Sequence, residues 1–137
     1  MRALRRRVPY VGALEPELIE LRASLCRIAM SHRLGVQGRD GRLHLPAIGS
    51  LCELAAAMVT EVTIPPAMRW LSRGMTIEYL RSADTGVRAI ARLDKSEWSE
   101  EERIGVPVSV VDAGESEVAR AVVTMAVSVA EAARRQS

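Results

Sequence analysis

Apolar residues fall at helical spacing in one stretch of the chain, at Ile48, Leu51, Leu54, Ala55, Met58 and Val59, which predicts a helix with one side on a core. Pro46 opens it at a first-turn position where its missing N–H is no loss, and Pro65-Pro66 lies where the helix cannot continue. Most of the rest reads as strand. Gly12 to Leu21 alternates loosely and is interrupted at Pro16; Ser24 to Ser31 sets Leu25, Arg27 and Ala29 against Cys26, Ile28 and Met30. Arg33 to Leu43 carries Gly35, Gly38 and Gly41 and reads as loop.

Beyond the helix, a long run from Met68 to Leu80 leads into the turn Ser82-Ala83-Asp84-Thr85-Gly86. Val87 to Trp98 follows, with Val87, Ala89, Ala91 and Leu93 on one face. The charged segment Ser99-Glu100-Glu101-Glu102-Arg103 predicts a turn, and Ile104 to Asp112, Ala113-Gly114-Glu115-Ser116 and Glu117 to Val129 predict a final hairpin. Each step after Met68 reads as a hairpin, so an antiparallel meander is expected. The fold class is therefore α+β, a curved antiparallel sheet wrapped around one central helix. Such a sheet leaves edges to cover, which predicts a homo-oligomer, a dimer or a dimer of dimers. Gly49 and Ala55-Ala56-Ala57 permit close approach of another backbone.

Composition narrows the picture. The 137 residues, 48% hydrophobic, suit a single domain spanning 1–137, with a basic tail at 1–8 and a C-terminal tail at 130–137. A net charge of +2 from 19 basic and 17 acidic residues, with 3% aromatics and no Phe, argues against nucleic acid as a partner. Arg5-Arg6-Arg7 reads as a solvated tail, with anion binding or partner docking as the alternative. Cys26 and Cys52 sit among apolar residues and read as reduced core thiols, which points to the cytoplasm. The N-terminus lacks the apolar core of a signal peptide, and no apolar run reaches the roughly 20 residues that span a bilayer, so no membrane partner is expected. His32 and His44 lack further ligand spacing, and neither a phosphate-binding glycine loop nor a serine elbow occurs, so no metal or cofactor is expected.

Residue types suited to catalysis meet a helix start only between Gly38 and Glu61. His44 precedes Pro46, and Glu53 lies on the helix with Gly49, Ser50, Ala56 and Ala57 as its neighbours three and four residues away, none of them basic. The order of elements and the segment Gly41-Arg42-Leu43-His44-Leu45-Pro46-Ala47-Ile48-Gly49-Ser50-Leu51-Cys52-Glu53 resemble the hotdog-fold thioesterases, nearest the PaaI-like group and its uncharacterised relatives, over about Val8 to Val129. That group shows Asn-x-x-Gly-x-x-His, often followed by Gly-Gly, with an acidic residue nine positions after the His. Gly41 and His44 keep the spacing, and Glu53 stands at the acidic position. Gly38 replaces the Asn, and Leu45-Pro46 replaces the two glycines. Met68 to Leu80 also resembles the strand that follows the helix in that family.

The resemblance implies hydrolysis of an acyl thioester, with an acyl-CoA as the expected substrate. Glu53 would act as base or nucleophile, the Leu45 N–H at the helix start as donor to the oxyanion, and His44 as an orienting hydrogen-bond partner. Gly41 would line the site, and Leu51, Leu54 and Met58 would line an acyl tunnel. Arg69, Arg73, Arg81, Lys95 and Arg103 flank the later strands and are the cations available to phosphates, with no one of them singled out. The alternative is a non-catalytic hotdog dimer that binds an acyl group, another apolar ligand or a protein partner, favoured by the missing Asn and glycines.

Overall fold

The computed structural model describes residues 14–32, 37, 38 and 40–130. The Arg5-Arg6-Arg7 cluster, the start of the first predicted strand, Gly35, the N-terminal tail and the C-terminal tail beyond Ala130 lie outside these. Six strands, β1 (Glu17–Arg22), β2 (Leu25–Met30), β3 (Met68–Tyr79), β4 (Val87–Arg92), β5 (Glu101–Asp112) and β6 (Glu117–Val129), form one antiparallel sheet with a single helix, α1 (Leu45–Thr63), between β2 and β3. This is the hotdog fold.

The helix is apolar on nearly every side because the sheet curls around it, contacting it from all six strands. Ala47, Ile48, Gly49, Leu51, Cys52 and every residue from Leu54 to Thr60 are buried. The expected one-sided helix is thus enclosed more fully than its spacing indicates. By length and composition it would suffice to cross a membrane, but its apolar surface is spent on the sheet. Alternation supplies the other half of the core. Cys26, Ile28 and Met30 of β2, Val106, Val108 and Val110 of β5, and Val123, Met125 and Val127 of β6 all point at the helix. Thr60, the buried polar residue of this core, donates its hydroxyl to the Ala56 carbonyl at 2.7 Å.

The strand order β1-β2-β4-β5-β6-β3 corrects the meander. β3 pairs with β6 at the far edge, from Met68 opposite Val129 to Tyr79 opposite Ala119, and β4 returns to lie beside β2. Periodicity shows which face of a strand is buried but not which strand lies beside it, and for β3 the partner is set by the wrap around the helix. The connection from Leu80 to Gly86 passes the helix start, where the Leu43 N–H donates to the Ala83 carbonyl at 2.8 Å. Two boundaries also shift. Glu101 to Arg103 are strand rather than turn, since β5 outruns the core and its charges face outward or pair, as Glu102 does with Lys95 at 3.1 Å. β4 stops at Arg92, not Trp98.

Leu54 is fully buried between helix and sheet. Leu54→Ala is expected to cost about 2–5 kcal/mol in urea unfolding, because the enclosing sheet has little freedom to collapse into the space. A loss below about 1 kcal/mol would show that the helix is packed more loosely than described.

Candidate active site

His44 is the N-cap of α1, extended at φ −67° and ψ 126°, and its side chain makes no capping hydrogen bond. Its carbonyl starts the helix, accepting from Ala47 N–H at 2.9 Å and Ile48 N–H at 3.3 Å. In a trans peptide the N–H points opposite the carbonyl, so the Leu45 N–H is directed out of the helix start. It has no acceptor among the described residues. Pro46 follows and has no N–H to add, so the helix dipole is expressed at this end through one free donor from the expected pair of positions.

The preceding loop holds that geometry. Gly38 N–H donates to the Arg42 carbonyl at 2.7 Å, and the Arg42 N–H to Asp40 Oδ1 at 3.1 Å, so Asp40 serves its own turn. Gly41 sits at φ +79°, a left-handed conformation that favours glycine, and its carbonyl lies 2.7 Å from His32 Nε2. Gly41 therefore shapes the loop. A Cβ built on Gly38 would lie 4.0 Å from His44 Nδ1, so the residue at the expected Asn position does adjoin the histidine.

Glu53 is half buried, eight residues along α1 from Leu45. With Pro46 and Ser50 it follows the i, i+4, i+7 spacing of one helix face, and these are the positions the sheet leaves partly uncovered. The helix rise separates Leu45 and Glu53 by roughly 12 Å along the axis. Leu51, Leu54 and Met58 are enclosed in the core and line no open channel in the single chain. Cavities occur elsewhere. One of 930 Å³ lies on the sheet's outer face among Arg27, Ile90, Arg92, Pro107, Arg120 and Val122, and another of 570 Å³ among Arg69, Arg73, Arg103 and Glu101. Neither adjoins the helix start, and Arg120 of the first is already paired with Glu117 at 2.8 Å. Lys95, paired with Glu102, also lies over the Trp98 ring at 5.2 Å.

One contact at the helix start lay beyond sequence reasoning. The Tyr79 hydroxyl, at the end of β3, donates to the Leu45 carbonyl at 3.1 Å. The available signal was indirect: a glycine, Gly49, on a buried helix face, leaving room for a large side chain from a strand. A Cβ on Gly49 would lie 3.3 Å from Tyr79 Oη and 3.5 Å from Met75 Cε.

The model of the family described as "Domain of unknown function (DUF4442)" matches residues 1–127. The chain belongs to the DUF4442 family. This DUF4442 chain is similar to a structural-genomics protein, APC5556, at 34% identity over 94% of the chain and 87% of that protein, with a TM-score of 0.85. It shares its fold with thioesterase HI1161 from Haemophilus influenzae (13% identity, 87% of this chain and 82% of that one, TM-score 0.77). A mutant of thioesterase PA1618 from Pseudomonas aeruginosa is similar at 16% identity over 93% and 91%, TM-score 0.78. No curated protein matches. Several structural neighbours of this DUF4442 chain carry the name thioesterase.

Both cysteines of the DUF4442 chain are buried and free, and burial pushes their thiols from 9.0 up to about 12. The folded state then holds its thiol protons where the unfolded state releases them. This contribution to stability is complete below pH 9 and is lost as pH rises toward 12. Urea midpoints are expected to fall across that window, and Cys26→Ala/Cys52→Ala to flatten the fall. A midpoint that declines equally in the double variant would assign the alkaline loss to other groups.

Proposed function

We propose that this protein hydrolyses an acyl thioester, an acyl-CoA being the expected substrate. The observation that carries the reading is the free Leu45 N–H, aimed out of the start of a 19-residue helix whose partly uncovered stripe also holds Glu53. A thioester carbonyl placed on that N–H would have its developing negative charge met by a fixed donor and by the positive end of the helix dipole. Glu53 would deliver the oxygen, either by taking the proton of an attacking water or by attacking the carbonyl carbon itself. The adduct would collapse with cleavage of the C–S bond and loss of the thiolate, and on the second route water would then cleave the acyl–Glu53 anhydride. His44, exposed beside Leu45, would orient the acyl carbonyl. Exposed Leu45 and Tyr79 give the surface beside that N–H its apolar character.

The roughly 12 Å of helix between the two groups bears on assembly, because donor and base must both stand within about 3 Å of the reacting atoms. A glutamate side chain leaning toward the helix start closes only part of that gap. We infer that the working site joins Leu45 of one protomer to Glu53 of another. Among the described residues β3, twelve residues long, ends the sheet, a surface on which a second copy can pair. The reading includes a dimer, or a dimer of dimers, in the cytoplasm, with no nucleic acid, membrane, metal or cofactor required.

Purified protein is expected to release CoA from at least one of a series of short, medium, long-chain and aryl acyl-CoAs. Glu53→Gln, nearly isosteric, is expected to lower kcat by at least ~100-fold with fold and assembly kept. Sedimentation is expected to give at least twice the 15.0 kDa chain mass. An unchanged rate in the variant would remove Glu53 from the chemistry. Absence of turnover in a well-folded oligomer would favour the binding-only alternative, with Gly38 and Pro46 as its reason.

A further inference from the structure

We propose that Tyr79 is a positioning residue that sets the direction of the Leu45 N–H, and that Gly49 is the glycine it needs to do so; the proposal rests on the hydrolase reading above. Beyond the His44 carbonyl, which accepts from the Ala47 and Ile48 amides and so orients one side of that peptide, little at the helix start fixes it. The N-cap side chain makes no capping bond, the first turn has no acidic residue, and Leu45 itself is 45% exposed. Backbone anchors hold the chain on either side. Before the donor, Leu43 is tied to Ala83, and after it the Leu45 carbonyl is tied to the Tyr79 hydroxyl. The His44–Leu45 peptide, which carries the free N–H, lies between the two ties.

Tyr79 is well supported for this task. It is the last residue of β3, paired with Ala119 of β6, and the next residue, Leu80, donates its N–H to the Val118 carbonyl at 2.8 Å. The tie therefore runs from a long two-strand ladder to the first helical carbonyl. A carbonyl oxygen has two lone pairs, so Leu45 can accept from Tyr79 and still serve its helix. Partial burial, and then the electrostatic influence of Cys52, hold the Tyr79 hydroxyl above its ordinary pKa. The approach needs a hydrogen at position 49: a Cβ there, at 3.3 Å from Oη, would make the hydroxyl give way by a few tenths of an ångström. A weakened tie at the Leu45 carbonyl loosens the neighbouring peptide, and an oxyanion donor's value lies in its preorganisation.

Tyr79→Phe, Gly49→Ala and the double variant test the idea, with kcat and KM measured on the wild type's best acyl-CoA and hydrogen exchange followed at backbone amides. Tyr79→Phe is expected to lower kcat by about tenfold or more per folded protein, with KM within about twofold, equally for short and long acyl groups. Exchange at Ala47 and Ile48, which donate to the His44 carbonyl, is expected to quicken while that at Leu54 and Ala55 stays. Gly49→Ala alone is expected to lower kcat in the same sense, and to add nothing in the Tyr79→Phe background, where the hydroxyl it displaces is gone. An active wild type with kcat unchanged in Tyr79→Phe would overturn the proposal and leave the hydrolase reading standing. A loss seen only as a chain-length-dependent KM would overturn it in favour of an acyl contact. If the wild type turns over no thioester, faster first-turn exchange in Tyr79→Phe would keep the tie while the hydrolase reading fails; unchanged exchange would overturn the tie as well.

Discussion

The structure depends on the burial of one apolar helix by one curved sheet. A helix with a single apolar stripe could lie on a flat sheet, but α1 is buried from Ala47 to Thr60 apart from Ser50 and Glu53, and only a sheet that bends around it removes that surface from water. The sheet's own alternation follows from this demand. Small residues bring the strands close, Ala89 and Ala91 on β4 and Ala55 to Ala57 on the helix, and Val and Met fill the remaining space. Enclosure also limits where chemistry can occur. A group on the helix is reachable only at its ends or along the stripe of Pro46, Ser50 and Glu53.

At the helix start, several weak local features compose one donor. Gly41 turns the loop, Leu43 and Leu45 are tied on opposite sides, and the His44 carbonyl is engaged by two amides. Each bond is worth on the order of 1 kcal/mol, yet together they leave the intervening peptide few orientations. That is how a surface loop next to a rigid helix comes to present a fixed dipole without a side-chain cap.

Much of this was legible in the chain. Helical spacing from Ile48 to Val59 and alternation in β2 and β4 gave elements, and their order together with the resemblance of the Gly41 to Glu53 segment gave the hotdog fold, because these signals are local and the core strands are half buried. Strand neighbours were not legible: the sequence around Ser82 to Gly86 reads as a hairpin turn, yet the connection it forms carries the chain from one sheet edge to the interior of the order. Charge misled at Glu101 to Arg103, where a strand continues past the core and its polarity marks exposure rather than a turn. At the site, the spacing of His44 and Glu53 was visible, but Tyr79 was not. A contact between residues thirty-four apart depends on β3 wrapping to the far edge, which no local pattern encodes.

The replacement of two small residues by Leu45-Pro46 changes how such a helix start can work. Two glycines would offer two N–H groups on a flexible backbone, so any bound oxygen would have to order the segment as it bound. Proline removes one donor, but its fixed φ suits the first helical turn and reduces the freedom of the unfolded chain. The remaining N–H, on Leu45, then precedes a rigid residue and follows a tied one. A site built this way has fewer donors but spends less of its binding free energy on ordering them, and electrostatic stabilisation rewards donors that need no reorganisation at the moment of reaction. The rigidity that proline supplies at 46 is thus of a kind with the tie that Tyr79 supplies at 45. In the proposed site each would compensate for the small residues of the resembled motif by restraining the Leu45–Pro46 peptide.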